Sequence, residues 1–257
     1  MTKNIILYIA CTAGGFTGLT QAKKPTPPEK SNQHLKVFEQ AITSGDANTA
    51  SIALNYYLIE QTSDQNYADT LAMLYMQQGA YAQCYYWAQK RLQLKPGDNN
   101  LMELKGISLD KLQQPKEAIE VFEQLFKKTQ SPYHAYKLME LQYGIKRLSE
   151  CLETARAAEK LVYKPSYIMT YNVGQQVGRT YLQAGIFNIH ALALYDLDQK
   201  SEAKTYFEKA LALDNSFVLA KQNLEALKSI EAGGSKDSQL PNNQPSLRSP
   251  GNKQNEN

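Results

Sequence analysis

Residues 184–215 read AGIFNIHALALYDLDQKSEAKTYFEKALALDN, and the spacing inside this stretch decides the fold. Phe187, Ala191 and Leu194 recur at intervals of three and four, so they share one face of a helix. Ala203, Phe207 and Ala210 then repeat the interval on a second segment, which closes at Leu213-Asp214-Asn215. The same offsets return upstream at a period of about 34 residues, the range of stacked helix-turn-helix units that are each too small to bury their own apolar face.

Working toward the N-terminus, residues 132–165 carry Leu138, Cys151, Ala155 and Ala158 in the corresponding slots. Ser131-Pro132 reads as an N-cap followed by proline at the first helical position, where its missing N–H costs nothing. Residues 99–131 place Gly106 and Leu109 in a first helix and Ala118, Phe122 and Leu125 in a second, with Gln113 to Pro115 as the turn. Residues 65–98 place Ala72 and Tyr75 before the helix breaker Gly79, then Cys84 and Ala88 before Pro96-Gly97. A degenerate copy occupies residues 31–64, where Phe38, Gly45, Ala50 and Leu54 fit in part.

This order of an aromatic, a small residue, a large apolar one, a mid-repeat alanine, a second aromatic and a closing proline or asparagine resembles the tetratricopeptide repeat (TPR). The resemblance covers about residues 31–230. It implies an all-α, right-handed superhelical solenoid of antiparallel helix pairs. The small residues have a physical role in such a stack: Ala72, Gly106 and Ala191 on first helices, and Ala50, Cys84, Ala118, Cys151 and Ala203 on second helices, let backbones approach. Phe217, Ala220, Leu224, Leu227 and Ile230 then recur at helical spacing, which suits a solvating cap helix over residues 216–230.

Three places depart from the pattern. Arg91 stands where the repeat expects alanine, and Phe38 where it expects a small residue. Residues 166–184 interrupt the register, and the segment Val177-Gly178-Arg179-Thr180-Tyr181 followed by Gly185 reads as an extra or extended helix over 166–183.

The ends differ from the array. Residues 1–22 carry one charge, Lys3, an apolar run Ile5 to Ala10, and a small-residue exit at Thr20-Gln21-Ala22, the pattern of a secretory signal cleaved after Ala22. Cys11 supports an alternative, since Tyr8-Ile9-Ala10-Cys11 is similar in outline to the box that precedes the lipid-bearing cysteine of bacterial lipoproteins. A membrane span fits less well, because Gly14, Gly15, Thr17, Gly18, Thr20 and Gln21 dilute its second half. Residues 23–30, with Pro25, Pro27 and Pro28, read as an extended linker. Residues 231–257 are too poor in large apolar side chains to offset their ordering entropy and read as a disordered tail.

A formal net charge of +3 over 257 residues argues against nucleic acid as a main partner. His34, His134 and His190 are isolated from other ligand-type residues, so no metal and no cofactor is expected. His190 reads as a packed histidine, and Cys84 and Cys151 as small core residues too distant for a disulfide. The sequence carries no phosphate-binding loop and no nucleophile elbow. An enzyme is therefore not expected.

The resemblance implies that ligands lie along the concave surface formed by the first helices. Carried onto this sequence, the groove positions are Asn66, Asp69, Met73, Met76 and Gln77, then Asn100, Glu103, Ile107, Asp110 and Lys111, then Tyr133, Tyr136, Glu140 and Tyr143. Tyrosine supplies contact area at low entropy cost and methionine adapts to irregular partners, so Met73, Met76, Tyr133, Tyr136 and Tyr143 stand out as anchors for a protein or extended peptide. The lysine and asparagine clamp with which some TPR proteins grip the acidic tail of heat-shock chaperones is replaced here by Leu35, Glu39 and Leu104. The expectation is an exported, periplasmic or envelope-associated binding scaffold, with a lipid-anchored envelope protein as the alternative. A glycan or small-molecule site built on Tyr167, Tyr171 and Arg179 is a third reading.

Overall fold

The computed structural model describes residues 33–60 and 67–233. The expected signal, the Cys11 box, the linker, Asn66 and nearly all of the tail lie outside the described residues. Among the described residues there are eleven helices, the first eight in pairs: α1 (Gln33–Ser44) with α2 (Ala47–Glu60), α3 (Ala68–Gln77) with α4 (Tyr81–Leu94), α5 (Asn99–Lys111) with α6 (Pro115–Thr129), and α7 (Pro132–Gly144) with α8 (Leu148–Ala158). A strand pair, β1 (Ile168–Val173) and β2 (Gln176–Tyr181), then precedes α9 (Leu182–Asp196) with α10 (Lys200–Leu213), and α11 (Val218–Glu231) closes the stack. Each helix packs on its neighbours in sequence, and first helices also meet first helices, α3 on α5 and α7 on α9. This is the expected helical-repeat solenoid.

The small residues sit where the helices cross. Ala50, Ala72, Cys84, Ala118, Cys151, Ala191 and Ala203 are completely buried. A Cβ added to Gly106 on α5 would stand 2.8 Å from the Phe122 ring of α6, so only glycine lets that ring lie against the backbone. The cap helix buries Phe217, Ala220, Leu224 and Leu227, and the Asn223 amide on α11 donates to Asn188 Oδ1 on α9 at 3.1 Å, pairing two buried polar groups.

Within each helix pair the chain reverses through one residue in the left-handed region: Gly45, Gly79, Gln113, Lys146 and Asp198. The next N–H reaches back to a carbonyl in the last turn of the first helix, as in Asp46 to Ala41, Ala80 to Tyr75, Gln114 to Leu109, Arg147 to Gln142 and Gln199 to Leu194. Three of these five positions hold non-glycine residues in a conformation that glycine adopts without steric cost. Pro115 and Pro132 occupy the first turns of α6 and α7 as expected. Ser131 is the N-cap of α7, but its side chain makes no cap; its N–H donates to Thr129 Oγ1 at 3.2 Å instead.

The two single-residue departures from the repeat each have a partner. Arg91 is only 5% exposed, and its guanidinium pairs with Asp69 on the preceding helix, where Lys95 Nζ also lies 2.9 Å from Asp69 Oδ2. The Phe38 ring meets Tyr67 edge-on at 5.9 Å.

The expected extra helix over 166–183 is not a helix. It is an antiparallel hairpin in which Ile168 pairs with Tyr181, Tyr171 with Gly178 and Val173 with Gln176. The two-residue loop Gly174-Gln175 places a glycine of positive φ first, the arrangement of a type II′ turn that matches strand twist. The residue types agree with strand: Ile168, Thr170, Tyr171, Val173, Val177, Thr180 and Tyr181 are β-branched or aromatic, and burial alternates along both strands.

His190 is packed, as its position suggested, and is 2% exposed. The Tyr206 ring lies 3.8 Å from the imidazole, and Nδ1 is 2.9 Å from Glu159 Oε1. Burial pushes its pKa down to about 4 despite Glu159, with Arg156 and Lys209 adding to the depression.

Gln113→Gly is expected to raise stability by about 1 kcal/mol by relieving a left-handed side chain, whereas an equal or lower melting temperature contradicts the assignment. His190 favours folding fully above its unfolded pKa near 6.5, and this contribution falls by about 3 kcal/mol as pH drops to about 4, because only the unfolded chain takes up the proton readily. His190→Phe should therefore flatten the acid-side decline in melting temperature between those pH values; parallel declines for variant and parent contradict it.

Candidate functional site

The first helices α5, α7, α9 and α11 line one face, and the hairpin lies across it. Met169 packs where a Cβ on Gly185 of α9 would stand, and Tyr136 of α7 crowds the same spot from 3.2 Å. Tyr171 is 4% exposed; its ring occupies the place of a Cβ on the opposite strand residue, Gly178, and meets Phe217 at 4.9 Å. The Tyr171 hydroxyl accepts the Val218 N–H at 3.2 Å, which satisfies one of the donors exposed at the start of α11. Two glycines on β2 and α9 thus make room for two β1 side chains that fasten the hairpin to the helices.

This arrangement divides the groove into two adjoining spaces. The inner one, about 390 Å³, lies among Ile107 and Asp110 of α5, Tyr136, Glu140 and Tyr143 of α7, Met169 and Tyr171 of β1, and Asn188 of α9. The outer one, about 620 Å³, runs between β1 (Ile168 to Asn172) and a wall of Lys111, Tyr133, Tyr136, Lys137 and Glu140. Both volumes fall in the range of ligand and peptide pockets.

The wall is polar and internally braced. Glu140 accepts from the Tyr136 hydroxyl at 2.7 Å and from Lys137 Nζ at 2.7 Å. Burial, reinforced by Glu140, raises the Tyr136 pKa well above its usual value. Burial alone would depress Lys137, but Glu140 more than offsets it and the ammonium is held in its charged form. Burial raises the Asp110 carboxyl, with Lys137 and Lys111 opposing, and lowers Lys111. Tyr143 is raised by burial and by Asp196, and Lys146 lies 4.8 Å over its ring.

The expected groove residues separate into two groups. Ile107, Asp110, Lys111, Tyr133, Tyr136, Glu140 and Tyr143 are brought together around these spaces. The others are not. Asp69 is engaged by Arg91 of α4 and by Lys95 just past its end, and Met73 and Met76 are half-buried on α3 with Gln77 exposed beyond them. Asn100 is exposed and its N–H is capped by Asp98 Oδ1 at 3.0 Å, while Glu103 Oε2 lies 3.4 Å from His134 Nε2. Tyr136 is core as much as groove, being only 7% exposed, whereas Tyr133 remains 37% exposed.

The third reading fails on geometry. Tyr167 and Tyr171 border the outer channel, but Tyr171 is spent on Phe217 and Val218, and Arg179 lies on the outward face of β2, paired across the strands with Thr170. The three do not converge. Lys137 and Met169 were missing from the sequence reading; the i, i+3 spacing of Lys137 and Glu140 was a signal for the first, and the period-two alternation of β1 for the second. Among the described residues no group of three or more His, Cys, Asp or Glu side chains could hold a metal ion, and no helix is long and apolar enough to cross a membrane.

Comparison with known proteins agrees with the helical-repeat fold. Residues 184–217 match the family model described as Tetratricopeptide repeat. The fold is similar to the crystal structure of MamA, at 17% identity and a TM-score of 0.58 over 71% of this chain and 90% of that one. It is similar to YrrB, described as a TPR protein with an unusual peptide-binding site, at 14% identity and 0.57 over 73% and 88%. It is also similar to pilF of Pseudomonas aeruginosa, at 18% identity and 0.52 over 66% and 69%. No curated protein matches by sequence. The match at 184–217 and these folds support a TPR protein, an architecture that typically serves as a scaffold for protein–protein interaction.

Proposed function

We propose that the protein is a non-catalytic scaffold that binds an extended segment of a partner protein in the groove between α5, α7 and the hairpin. The observation that carries this is the outer channel: about 620 Å³ bounded on one side by a strand and on the other by Lys111, Tyr133, Lys137 and Glu140. A channel open along a strand suits an extended chain better than a compact metabolite. YrrB, a similar fold, is described as having an unusual peptide-binding site, which favours the same class of partner here. The braced wall needs no reorganisation on binding, so little affinity is lost to ordering side chains.

The test is binding of peptides selected from a random phage-displayed library on the immobilised chain. Tyr133→Ala removes an exposed ring without touching the core, and it is expected to weaken captured peptides about tenfold or more while leaving the melting temperature within about 2 °C. Unchanged affinity would move the site off this face.

We also propose export, on the strength of the apolar run Ile5 to Ala10 and the exit at Ala22. Mass spectrometry of the chain recovered from its native cells is expected to show an N-terminus at Lys23. A chain starting at a lipidated Cys11 would support the envelope-anchored alternative, and an intact Met1 would contradict both.

A further inference from the structure

The hairpin has two strands, and β1 pairs with β2 along one edge only. The outer channel runs along the other edge. It is bordered by consecutive β1 residues of both facings, Ile168 to Asn172, and by none of β2. That pattern identifies a strand edge, since a sheet face would present alternate residues only.

Register fixes which backbone groups meet the channel. In a two-residue hairpin the pair flanking the loop, Val173 and Gln176, exchanges hydrogen bonds, and bonded and non-bonded pairs alternate from there. Tyr171 and Met169 therefore bond to β2, while the N–H and C=O groups of Thr170 and Asn172 face the channel. Among the described residues neither Thr170 nor Asn172 has a backbone hydrogen bond beyond the hairpin. An unpaired strand edge is a template for another strand.

The opposite wall selects the charge of that strand. Glu140 is already engaged by Lys137 and Tyr136, and Asp110 lines the inner space instead of the channel. Lys111 has no carboxylate within ion-pair distance among the described residues, although it lines the channel. Among the side chains that line the channel, Lys111 and Lys137 face Glu140 alone, a surplus of one positive charge, with Asp110 acting on Lys111 from the inner space.

We propose that an acidic, extended peptide of a partner protein adds to the free edge of β1 as a third strand, bonding through Thr170 and Asn172, with one of its carboxylates on Lys111. This deepens the groove function above and rests on it. Side chains of one facing would meet Tyr133 and Lys137, and the other facing would meet solvent, so specificity would repeat every second residue.

The experiment uses the full chain and the peptides selected above, remade synthetically and measured by fluorescence anisotropy. Three changes separate strand addition from simple groove filling: Thr170→Pro, which removes an outward N–H and leaves the β1–β2 ladder intact; Lys111→Ala; and N-methylation of alternate peptide nitrogens, which leaves the protein untouched. Expected are acidic peptides with β-branched residues at alternate positions, each weakened at least tenfold by all three changes, with weaker binding at high salt for parent protein only. Peptides lost on Tyr133→Ala but indifferent to Thr170→Pro and to N-methylation at every register would overturn strand addition and leave the groove function standing. Basic or neutral peptides indifferent to Lys111→Ala would overturn the charge assignment. No peptide enriched over a bare surface would overturn both. If Thr170→Pro fails to fold, the N-methylated peptides decide the matter alone.

Discussion

The structure depends on helix backbones coming close enough to share a core, and this closeness is set by the absence of side-chain bulk at the crossings. Phe122 can lie on α5 only because Gly106 has no Cβ, and alanine or cysteine performs the same service at Ala72, Cys84, Cys151 and Ala203. A stack built this way has a simple consequence. Each pair leaves its first helix bordering a common face, and any insertion between pairs can fold back onto that face.

The hairpin is such an insertion, and it is fastened by the same device. Gly178 and Gly185 give up their volume to Tyr171 and Met169, and the Tyr171 hydroxyl takes the free N–H at the start of α11. What in an uninterrupted array would be one open groove becomes an inner space and a channel with a strand edge along it. Helical repeats present only side chains to a partner, because their backbone groups are consumed within the helices. β1 adds backbone donors and acceptors to this face, opposite a wall in which Lys137 and Glu140 brace each other.

Much of the solenoid was legible in the sequence because its constraints are local and repeated: small residues at fixed offsets, prolines opening α6 and α7, and glycines at the first two reversals. Arg91 stood out as an arginine in an alanine slot, but its partner did not: Asp69, read as a groove position, is the carboxylate that pairs with it. The hairpin was misread because six residues of period-two pattern are short, and Tyr167 and Tyr171 also stand four apart, as on a helix. The Gly174-Gln175 loop between two runs of β-branched and aromatic residues was the stronger signal. For the groove, the positions carried over from the family pattern come together around one space from Ile107 to Tyr143, where the hairpin crosses the face, while the side chains of Asp69 and Glu103 meet neighbouring helices, since repeat offsets say which helix a residue is on and not what has folded over it.

The most direct measurement is residue-resolved amide hydrogen exchange across β1, with and without a bound peptide. Slow exchange is expected at Met169, Tyr171 and Val173 and fast exchange at Thr170 and Asn172 in the free protein, with Thr170 and Asn172 becoming protected in the complex. Protection of Thr170 and Asn172 before any peptide is added, or their continued fast exchange in a saturated complex, would contradict strand addition.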